Sequence, residues 1–393
     1  MTGTAPRRPM PLHLQRDGFD PVPQLTDFEH GPVLATTSLG TPARIVNRYA
    51  AVREVLADAE RFSSALPVFG RRDPDAPPPE GDLLTSDPPE HTRLRKVLSP
   101  EFTVRRIGRL VPRITEIVDE HLDALAAAGP PADLVADFAL PVPSLVICEL
   151  LGVPYADRAG FESRAARQLD VSLPMPERMR AGAESREYMA ELVARARRDP
   201  DDDLLGALVR EHGDDLTPGE LAGVAGLLLI AGHETTASTI GLAVLKLLRE
   251  PDQLAVLRAR PDAVENAIEE LLRYLSVVHS GIPRIATRDT ELDGEPVVAG
   301  EVLILSLPAA NRDPALGEEL DRLELTREVT RHVAFGHGVH HCLGAALARA
   351  ELRVALPALL RRFPGLALAD PAAPVDFRSF AVVHAVRSLP VTW

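Results

Sequence analysis

The sequence predicts a mainly α-helical protein with small β-sheets, of the α+β class. Helical periodicity covers most of the chain between residues 90 and 275, whereas β-prone segments are gathered at 32–48 and 282–305. Because strands and helices do not alternate along the chain, a parallel βαβ architecture is not expected. With 393 residues, 45% of them hydrophobic, the chain is long enough to bury a large core.

Periodicity and end signals place the individual elements. A helical pattern begins near Ala50 and continues to about Phe62, and another begins at Glu90 and is ended by Gly129-Pro130-Pro131. A last long helix follows from residue 342. Segment 67–82 is too rich in proline and aspartate for a regular element, so an inter-domain linker and a mobile loop over a pocket both stay open. Further helices are predicted at 132–151, 157–169, 178–197 and 202–212.

Composition excludes several classes of protein. The 57 acidic residues exceed the 43 basic ones by 14, so a nucleic-acid partner is not expected. Two cysteines cannot form a disulfide framework, and we expect Cys148 to be a core residue. The N-terminus lacks an apolar signal-peptide run, and the one long apolar stretch, 221–248, carries polar residues in its middle. We therefore expect a soluble, cytoplasmic protein with no membrane partner.

The helix that begins near Thr217 has unusual polar residues at its centre. Thr217, Pro218 and Glu220 form a strong start signal, and the helix can continue for about 50 Å to Arg249. The central sequence Ala231-Gly232-His233-Glu234-Thr235-Thr236 has two interpretations. The threonines can bond to carbonyls one turn earlier while Glu234 pairs with an arginine, or the helix is opened here for a ligand and a proton supply. A zinc-protease motif is excluded because position 237 is alanine.

A glycine-rich segment, Phe335 to Gly344, places Cys342 at the start of the final helix. The helix dipole and free N–H groups at such a position favour the thiolate. Three functions are open on these residues alone: a zinc site with the neighbouring histidines, a catalytic cysteine with a histidine base, or a single axial thiolate to haem iron. A dinucleotide-binding motif is excluded because His341 stands where the third glycine is needed.

The segment Phe335 to Gly344 resembles the Phe-x-x-Gly-x-x-x-Cys-x-Gly loop of cytochrome P450 of the bacterial, actinomycete type. Three more segments resemble the family in the same order along the chain: 87–95, 231–236 and 270–273. The resemblance implies the cytochrome P450 fold, a triangular, helix-rich single domain over residues 1–393 with a long central helix over the haem. It also implies haem b as cofactor, with Cys342 as the ligand of the iron.

The resemblance assigns roles to particular residues. Glu234 and Thr235 would hold water and relay protons. Glu270 and Arg273, which periodicity alone predicts as an exposed ion pair, would instead lock the core beside the cysteine loop, with Arg322 or alternatively Arg327 as third partner. The predicted haem contacts are His91, Arg95, Arg284, Phe335, Gly336, His340 and Gly344.

The resemblance further implies a monomeric haem-thiolate monooxygenase that uses O2 and a small-molecule substrate. Ferredoxin and ferredoxin reductase would supply electrons, because no flavin or iron–sulfur motif is present. A basic patch is expected from Arg93, Lys96, Arg105, Arg106, Arg109, Arg349 and Arg353.

A bulky, mainly aliphatic secondary metabolite is the expected substrate, as in macrolide, polyketide or terpenoid tailoring by hydroxylation or epoxidation. A desaturase or coupling enzyme and a non-catalytic haem sensor are the alternatives. The predicted substrate-facing positions are Ala231, Val277, His279, Ile282, Phe380 and Val382, with loops 67–85 and 170–180.

Overall fold

Helices dominate the architecture, and most of the strands lie before residue 64 or after residue 281 in the chain. The computed structural model describes residues 10–29, 33–37, 40–65, 80–328 and 331–393, so most of the predicted loop 67–82 lies outside the described residues. The α-helices are α1 (Tyr49–Ala57), α2 (Glu90–Leu98), α3 (Val104–Gly108), α4 (Val111–Ala128), α5 (Pro141–Leu151), α6 (Arg158–Leu169), α7 (Met175–Arg198), α8 (Leu204–His212), α9 (Pro218–Arg249), α10 (Pro251–Ala259), α11 (Val264–Leu275), α12 (Leu307–Ala310) and α13 (Ala345–Arg362).

Within the described ranges, short strands form one five-stranded sheet and three smaller sheets or hairpins. The five-stranded sheet has the order β3-β4-β10-β7-β5; β10 is parallel to β4 and antiparallel to β7. The strands are β1 (Arg16–Asp17), β2 (Asp20–Pro21), β3 (Val33–Thr36), β4 (Pro42–Val46), β5 (Phe62–Ser63), β6 (Ala132–Asp133), β7 (Ile282–Ala286), β8 (Thr290–Leu292), β9 (Glu295–Val297), β10 (Val302–Leu305), β11 (Ala367–Leu368) and β12 (Pro390–Thr392). The predicted α+β class is confirmed.

The predicted helix over 132–151 is wrong in its first half. Residues Ala132–Asp133 form β6, Val135–Ala139 form a π-helical turn, and only Pro141–Leu151 is α-helical. The Asp133 carboxylate accepts hydrogen bonds from the amides of Val135 and Leu389, so it holds the chain against β12 before the helix can begin. The contacts of Asp133, including the long-range one to Leu389, therefore override the apolar periodicity.

Three other predicted boundaries also need correction. The pattern from residue 90 to 128 is three helices, because Ser99–Phe102 forms a 3-10 turn and Leu110 separates α3 from α4. The helix predicted to reach about Phe62 ends at Ala57, and residue 62 is already in β5. The final helix begins at Ala345, three residues after Cys342.

Helix α9 forms the centre of the molecule. The Thr217 hydroxyl accepts from the amide of Glu220 while the Glu220 carboxylate accepts from the amide of Thr217, which is the predicted capping box. Among the described residues α9 is the one helix long and apolar enough to cross a membrane. However, 67% of its most apolar 18-residue stretch is buried inside the protein. This burial is that of a core helix.

One large apolar cluster surrounds α9, and two smaller clusters lie against the five-stranded sheet. The large cluster contains residues from Phe19 to Val391, and α5 and α7 pack directly on α9. Cys148, on α5, is fully buried, and this burial raises the pKa of its thiol to about 12. Cys148 is therefore a core residue, as predicted.

Candidate active site

The cysteine loop is held in a tight conformation before α13. The Cys342 amide donates to the Phe335 carbonyl at 2.9 Å, which closes the loop. Gly336 and Gly338 have φ angles of +71° and +69°, which side chains rarely adopt. A Cβ at Gly338 would lie 2.1 Å from the Leu56 carbonyl oxygen, so only glycine allows this loop to approach α1.

The thiol of Cys342 lies in dense protein and still has accessible surface. Burial raises its pKa, whereas hydrogen bonds from the amides of Gly344 and Ala345 and the nearby guanidinium groups of Arg95 and Arg349 lower it. The side chain is nevertheless exposed. Hydrogen bonds from the two amides favour the thiolate, against the effect of burial.

The histidines of the loop do not form a metal site with Cys342. Among the described residues, no three histidine, cysteine or acidic side chains converge on one point. His337 Nε2 accepts from Arg53 at 3.3 Å, and His340 Nε2 lies 3.0 Å from Ser64 Oγ. These histidines therefore have separate partners, and the zinc hypothesis has no geometric support.

Four basic side chains meet beside the cysteine loop. Arg284 is 4% exposed and donates to the Pro283 carbonyl; its burial lowers its pKa to about 10. The His91 and His340 rings have centroids 4.1 Å apart, and the buried Nδ1 of His91 has no hydrogen-bond partner among the described residues. Burial, with Arg95 and Arg284 contributing, lowers the pKa of both histidines, to about 3 for His340.

The carboxylates near this cluster do not neutralise it. Asp87 is the nearest acidic group, and its oxygens accept from the Ser63 hydroxyl and, at 2.8 Å, from the Ser64 amide. Arg95 has no hydrogen bond to a carboxylate in the described part of the chain, and burial lowers its pKa. A group carrying two carboxylates, as haem does in its propionates, would supply the missing charge and the acceptor for His91. The residues present fit haem.

Helix α9 has an accessible face at its centre. Ala231 is exposed and Thr235 is half-buried, although His233, Glu234 and Thr236 beside them are buried. The Thr235 hydroxyl donates to the Ala231 carbonyl at 2.8 Å. A Cβ at Gly232 would lie 2.8 Å from Ile147 Cδ1, so glycine here allows α5 to pack closely. The helix thus faces open space on one side and the core on the other.

Glu234 lies on a different side of α9 from Thr235. Its carboxylate accepts from Arg378 Nη1 at 2.8 Å, and its side chain is 5% exposed. The backbone carbonyl of Glu234 accepts from the Ser238 hydroxyl at 2.6 Å. The local bonds and the arginine pair of the first interpretation therefore form, whereas α9 is continuous through this segment and Ala231 is exposed on its surface.

Comparison with known proteins identifies the family. A model described as "Cytochrome P450" matches residues 12–166 and 174–376. This chain is a cytochrome P450. It is 48% identical to cytochrome P450 FAS1 of Rhodococcoides fascians over the full length of both chains. Haem b is the cofactor of this family.

Two solved structures are similar over nearly the whole cytochrome P450. The structure of P450 StaH from glycopeptide antibiotic A47934 biosynthesis has a TM-score of 0.88 and 46% identity, covering 98% of this chain and 100% of the other. CYP105P1 in complex with filipin I has a TM-score of 0.91 and 42% identity, covering 97% and 98% of the two chains. The predicted family, fold and enzyme class are confirmed.

The predicted substrate-facing residues of this cytochrome P450 do not all have accessible side chains. Ala231 is exposed, and Val277, Ile282, Phe380 and Val382 are partly accessible. His279 is buried: its Nε2 donates to the Ala381 carbonyl at 2.8 Å, and its ring lies 5.3 Å from that of His384. His279 therefore supports the turn before β7, and its assignment as substrate-facing is corrected.

The two predicted substrate loops differ in what the structure describes. Residues 66–79 lie outside the described residues. Of 170–180, only the first five residues are loop, because α7 begins at Met175. This short loop is held by the C-terminal turn: the Val171 amide donates to the carbonyl of Phe380, whose φ of +55° is unusual for an aromatic residue.

The ion pair of Glu270 and Arg273 is buried at the end of α11. The Glu270 carboxylate accepts from Arg273 Nε and Nη2 at 2.6 and 2.8 Å. The Arg273 guanidinium also donates to the carbonyls of Asn311 and Leu320, both at 2.8 Å. The pair therefore joins α11 to segment 311–327.

The third partner of this pair is Arg327, and the prediction of Arg322 is wrong. Arg327 Nε lies 3.3 Å from the Glu270 carboxylate. The Arg322 side chain is 71% exposed and pairs with Glu319, while only its backbone carbonyl accepts from Arg273. The turn at 319–322 directs the Arg322 side chain into solvent, which sequence spacing cannot show.

Two functional contacts were missed in the sequence. Arg378 lies 144 residues from Glu234, and no local pattern connects them. Arg349, predicted as part of the basic patch, donates to Glu269 at 2.6 and 2.8 Å and lies over the Phe335 ring at 4.6 Å. Glu269 and Glu270 are adjacent acidic residues outside the apolar stripe of α11. This pattern could have predicted two separate ion pairs.

Proposed function

We propose that this cytochrome P450 inserts one oxygen atom from O2 into a bulky, mainly aliphatic secondary metabolite. The observation that carries the proposal is the exposed Cys342, which has the amides of Gly344 and Ala345 as donors and the cluster of Arg95, Arg284, His91 and His340 beside it. Residues 1–393 would act as a single cytoplasmic domain and as a monomer. The continuous apolar cluster from Phe19 to Val391 supports one domain.

The residues of the site have distinct proposed roles toward haem b. Cys342 would bind the iron through sulfur, and the amides of Gly344 and Ala345 would tune the sulfur's electron donation. Phe335 and Gly336 would shape the surface beside the cofactor. The propionates would be bound by His91, Arg95, Arg284 and His340.

Haem supplies the activation of O2, which consumes two electrons and two protons while one oxygen atom enters the substrate and the other leaves as water. The protein must therefore deliver protons to the open side of α9. The Thr235 hydroxyl lies on that side and can hold a water molecule, and the Glu234 carboxylate can receive a proton from solvent. Glu234 and Thr235 together form the proposed relay.

Replacing Thr235 with alanine is expected to uncouple electron use from product formation. Without the hydroxyl, water near Ala231 loses its donor and acceptor, so we expect roughly tenfold less product per electron pair consumed. Product and hydrogen peroxide should be measured against NADPH use. Thr239→Ala is the matched control because its hydroxyl makes the same type of bond, to the Thr235 carbonyl at 2.8 Å. Fully coupled turnover in Thr235→Ala would refute the relay.

We propose that a small acidic ferredoxin, reduced by a ferredoxin reductase, docks beside α3. Lys96, Arg105 and Arg109 are exposed and have no ion pair in the described part of the chain, and Val104 between them is 80% exposed. Helix α3 packs against α13, the helix that follows Cys342. The rest of the predicted patch is paired internally: Arg93 with Glu90 and Glu220, Arg106 with Glu101, Arg349 with Glu269 and Arg353 with Glu265.

Reversing the charge of Arg105 and Arg109 to glutamate is expected to lower kcat/KM for ferredoxin roughly tenfold at low ionic strength. Opposite charges accelerate docking, and salt screens them, so the defect should shrink as salt is added. Arg361→Glu, at the far end of α13, is the control, and it makes the same charge change as Arg105→Glu or Arg109→Glu alone. Reduction by dithionite should be unaffected in all variants. If Arg361→Glu lowered kcat/KM for ferredoxin as much as the substitutions at Arg105 and Arg109, the docking site would lie elsewhere.

The accessible side chains support the proposed substrate class. Ala231, Val277, Ile282, Phe380 and Val382 present alkyl and aromatic surface and no charge. A structural neighbour at 42% identity binds filipin I, so a bulky ligand is compatible with this fold. Apolar lining of this kind favours a bulky aliphatic molecule over a charged one.

The substrate proposal is tested by screening a polyketide and terpenoid library for shifts of the haem spectrum. Compounds that bind should then be turned over with a surrogate ferredoxin, ferredoxin reductase and NADPH. A product heavier by one oxygen atom supports hydroxylation or epoxidation. A product that has only lost hydrogen identifies desaturation or coupling instead, and binding without turnover identifies a haem-binding sensor.

A further inference from the structure

Residues 380–384, which we call the C-terminal turn, pair with two other segments of the chain. Val383 forms an antiparallel bridge with Val278, in the segment that leads into β7. Ala381 forms a second antiparallel bridge with Asp170, the residue that follows α6 directly. The C-terminal turn therefore connects the chain before β7 with the end of α6.

The contact between the C-terminal turn and the end of α6 consists of backbone hydrogen bonds. The Val171 amide donates to the Phe380 carbonyl at 2.8 Å. The Val382 amide donates to the Leu169 carbonyl at 3.3 Å. We call these two bonds the latch. Any movement of the end of α6 away from the C-terminal turn must break both of them.

Helices α6 and α7 are joined to each other independently of the latch. Arg178 Nε, on α7, donates to the Gln168 carbonyl at 3.0 Å, across the loop between the two helices. The Gln168 side chain donates to Ser185 Oγ, also on α7, at 2.9 Å. The helix pair can therefore move as one unit, and the latch joins that unit to the C-terminal turn.

The contacts of the C-terminal turn with the segment before β7 are more deeply buried than the latch. The His384 amide donates to the Val277 carbonyl at 2.7 Å. His279 Nε2 donates to the Ala381 carbonyl at 2.8 Å. These two histidines are 2% and 4% exposed, whereas the latch residues at the end of α6 are half-buried. Backbone hydrogen bonds closer to solvent open more readily, so we expect the latch to open first.

Phe380 has a strained backbone at the point where the latch closes. Its φ angle is +55°, in the left-handed region that is unfavourable for a bulky side chain. Among the described residues, the other non-glycine residues with positive φ are Ser276, Asp293 and Glu319, none of which is aromatic. The strained residue is also the one whose carbonyl accepts from Val171. The latched form therefore carries a conformational cost, and Phe380 can return to a negative φ once that bond breaks.

We propose that the latch controls the entry of bulky molecules to the active site and that the strain at Phe380 sets how often the latch opens. This inference rests on the proposed substrate-facing role of Phe380 and Val382, because opening the latch moves the end of α6 away from these residues. The strain destabilises the latched form relative to the open form. Molecules too large to pass the closed latch therefore enter more often than they would past an unstrained turn. In this role Phe380 is a positioning residue that acts through its backbone.

Hydrogen exchange tests the latch without any ligand. Replacing Phe380 with glycine removes the cost of a positive φ, whereas alanine removes the same ring and keeps the cost. In the haem-containing enzyme, deuterium uptake by a peptide covering 168–173 should be about threefold slower in Phe380→Gly than in Phe380→Ala. Asp293→Gly is the matched control, because Asp293 has the same φ of +55° but lies in the turn between β8 and β9. It should leave uptake by this peptide unchanged.

The binding rates of a small and a bulky haem ligand test entry to the site. Imidazole and clotrimazole both bind haem iron through an imidazole nitrogen, and stopped-flow spectra record each reaction. Clotrimazole should bind about threefold more slowly to Phe380→Gly than to Phe380→Ala, whereas imidazole should bind both variants at the same rate. Mass spectrometry of the exchange samples and these spectra are obtained from the same protein preparations.

A second pair of variants acts on the other partner of the latch. Val171→Pro removes the amide that donates to Phe380, so clotrimazole should bind faster, whereas Val171→Ala keeps the amide and should not change the rate. Asp170 already has the extended backbone that a residue before proline requires, with φ −81° and ψ 101°.

Equal deuterium uptake in Phe380→Gly and Phe380→Ala would overturn the role of the strain. Equal clotrimazole rates within both pairs of variants would mean that bulky molecules enter elsewhere, and the proposal would fail. Neither measurement uses a substrate. A substrate screen that finds no ligand, together with the expected exchange and clotrimazole rates, would therefore contradict the proposed substrate class and support the latch.

Discussion

Replacing Cys342 with serine is expected to abolish the absorption band that marks thiolate ligation in the reduced carbon monoxide complex, together with turnover. A serine hydroxyl stays protonated where the thiol of Cys342 is helped toward the thiolate by the amides of Gly344 and Ala345. Without the anionic sulfur, the protein would lose the electron donation that Cys342 would supply to haem iron and that would promote O–O cleavage. The spectrum and the product yield measure the two effects separately.

Cys148 provides the matched control for this change. It is the other cysteine, and it is fully buried on α5 among apolar residues. Cys148→Ala should retain the thiolate band at full intensity while losing some stability, because a small cavity remains. A thiolate spectrum in Cys342→Ser, or its loss in Cys148→Ala, would contradict the assignment of the iron ligand.

Replacing Arg273 with methionine is expected to destabilise the protein by about 3–5 kcal/mol, since it leaves the buried Glu270 carboxylate without its main partner. It also removes donors from the carbonyls of Asn311 and Leu320. Because these contacts join α11 to segment 311–327, we expect the unfolding midpoint in urea to fall and haem to be released earlier in the same titration.

Substitutions of two neighbouring arginines, Arg322 and Arg327, provide comparisons for the destabilisation expected in Arg273→Met. Arg322→Met should change the free energy of unfolding by less than about 0.5 kcal/mol, because its pair with Glu319 is exposed. Arg327→Met should fall between the two, since Arg327 is only a second partner of Glu270. If Arg322→Met and Arg273→Met lowered the free energy of unfolding equally, burial of the arginine would not determine its contribution to stability.

The site was predictable where its chemistry is encoded locally. The glycines around Cys342 and the polar residues at Ala231–Thr236 are short patterns that are unfavourable in an ordinary loop or buried helix, so they could be recognised without coordinates. The helix start at Thr217 was equally local, because a capping box involves residues three apart. Such features depend on backbone geometry within one or two turns.

The missed features depend on contacts between distant segments. Arg378 meets Glu234, and Asp133 meets the amide of Leu389, only after the C-terminal segment folds back onto α9 and β6. The burial of His279 likewise depends on the Ala381 carbonyl. Long-range pairs of this kind leave no periodic signal in a single sequence, whereas the choice between Arg322 and Arg327 depends on the exact path of one turn.

The ion pair of Glu269 and Arg349 bears on tolerance to acid. Burial alone would raise the pKa of Glu269, but hydrogen bonds from Arg349 and His332 lower it to about 2 from 4.5. A carboxyl whose pKa is lower in the folded state stabilises the fold above pH 4.5, and this contribution is lost only as the pH falls from there toward 2. Since Arg349 also lies over the Phe335 ring, the cysteine loop keeps this support throughout mildly acidic conditions.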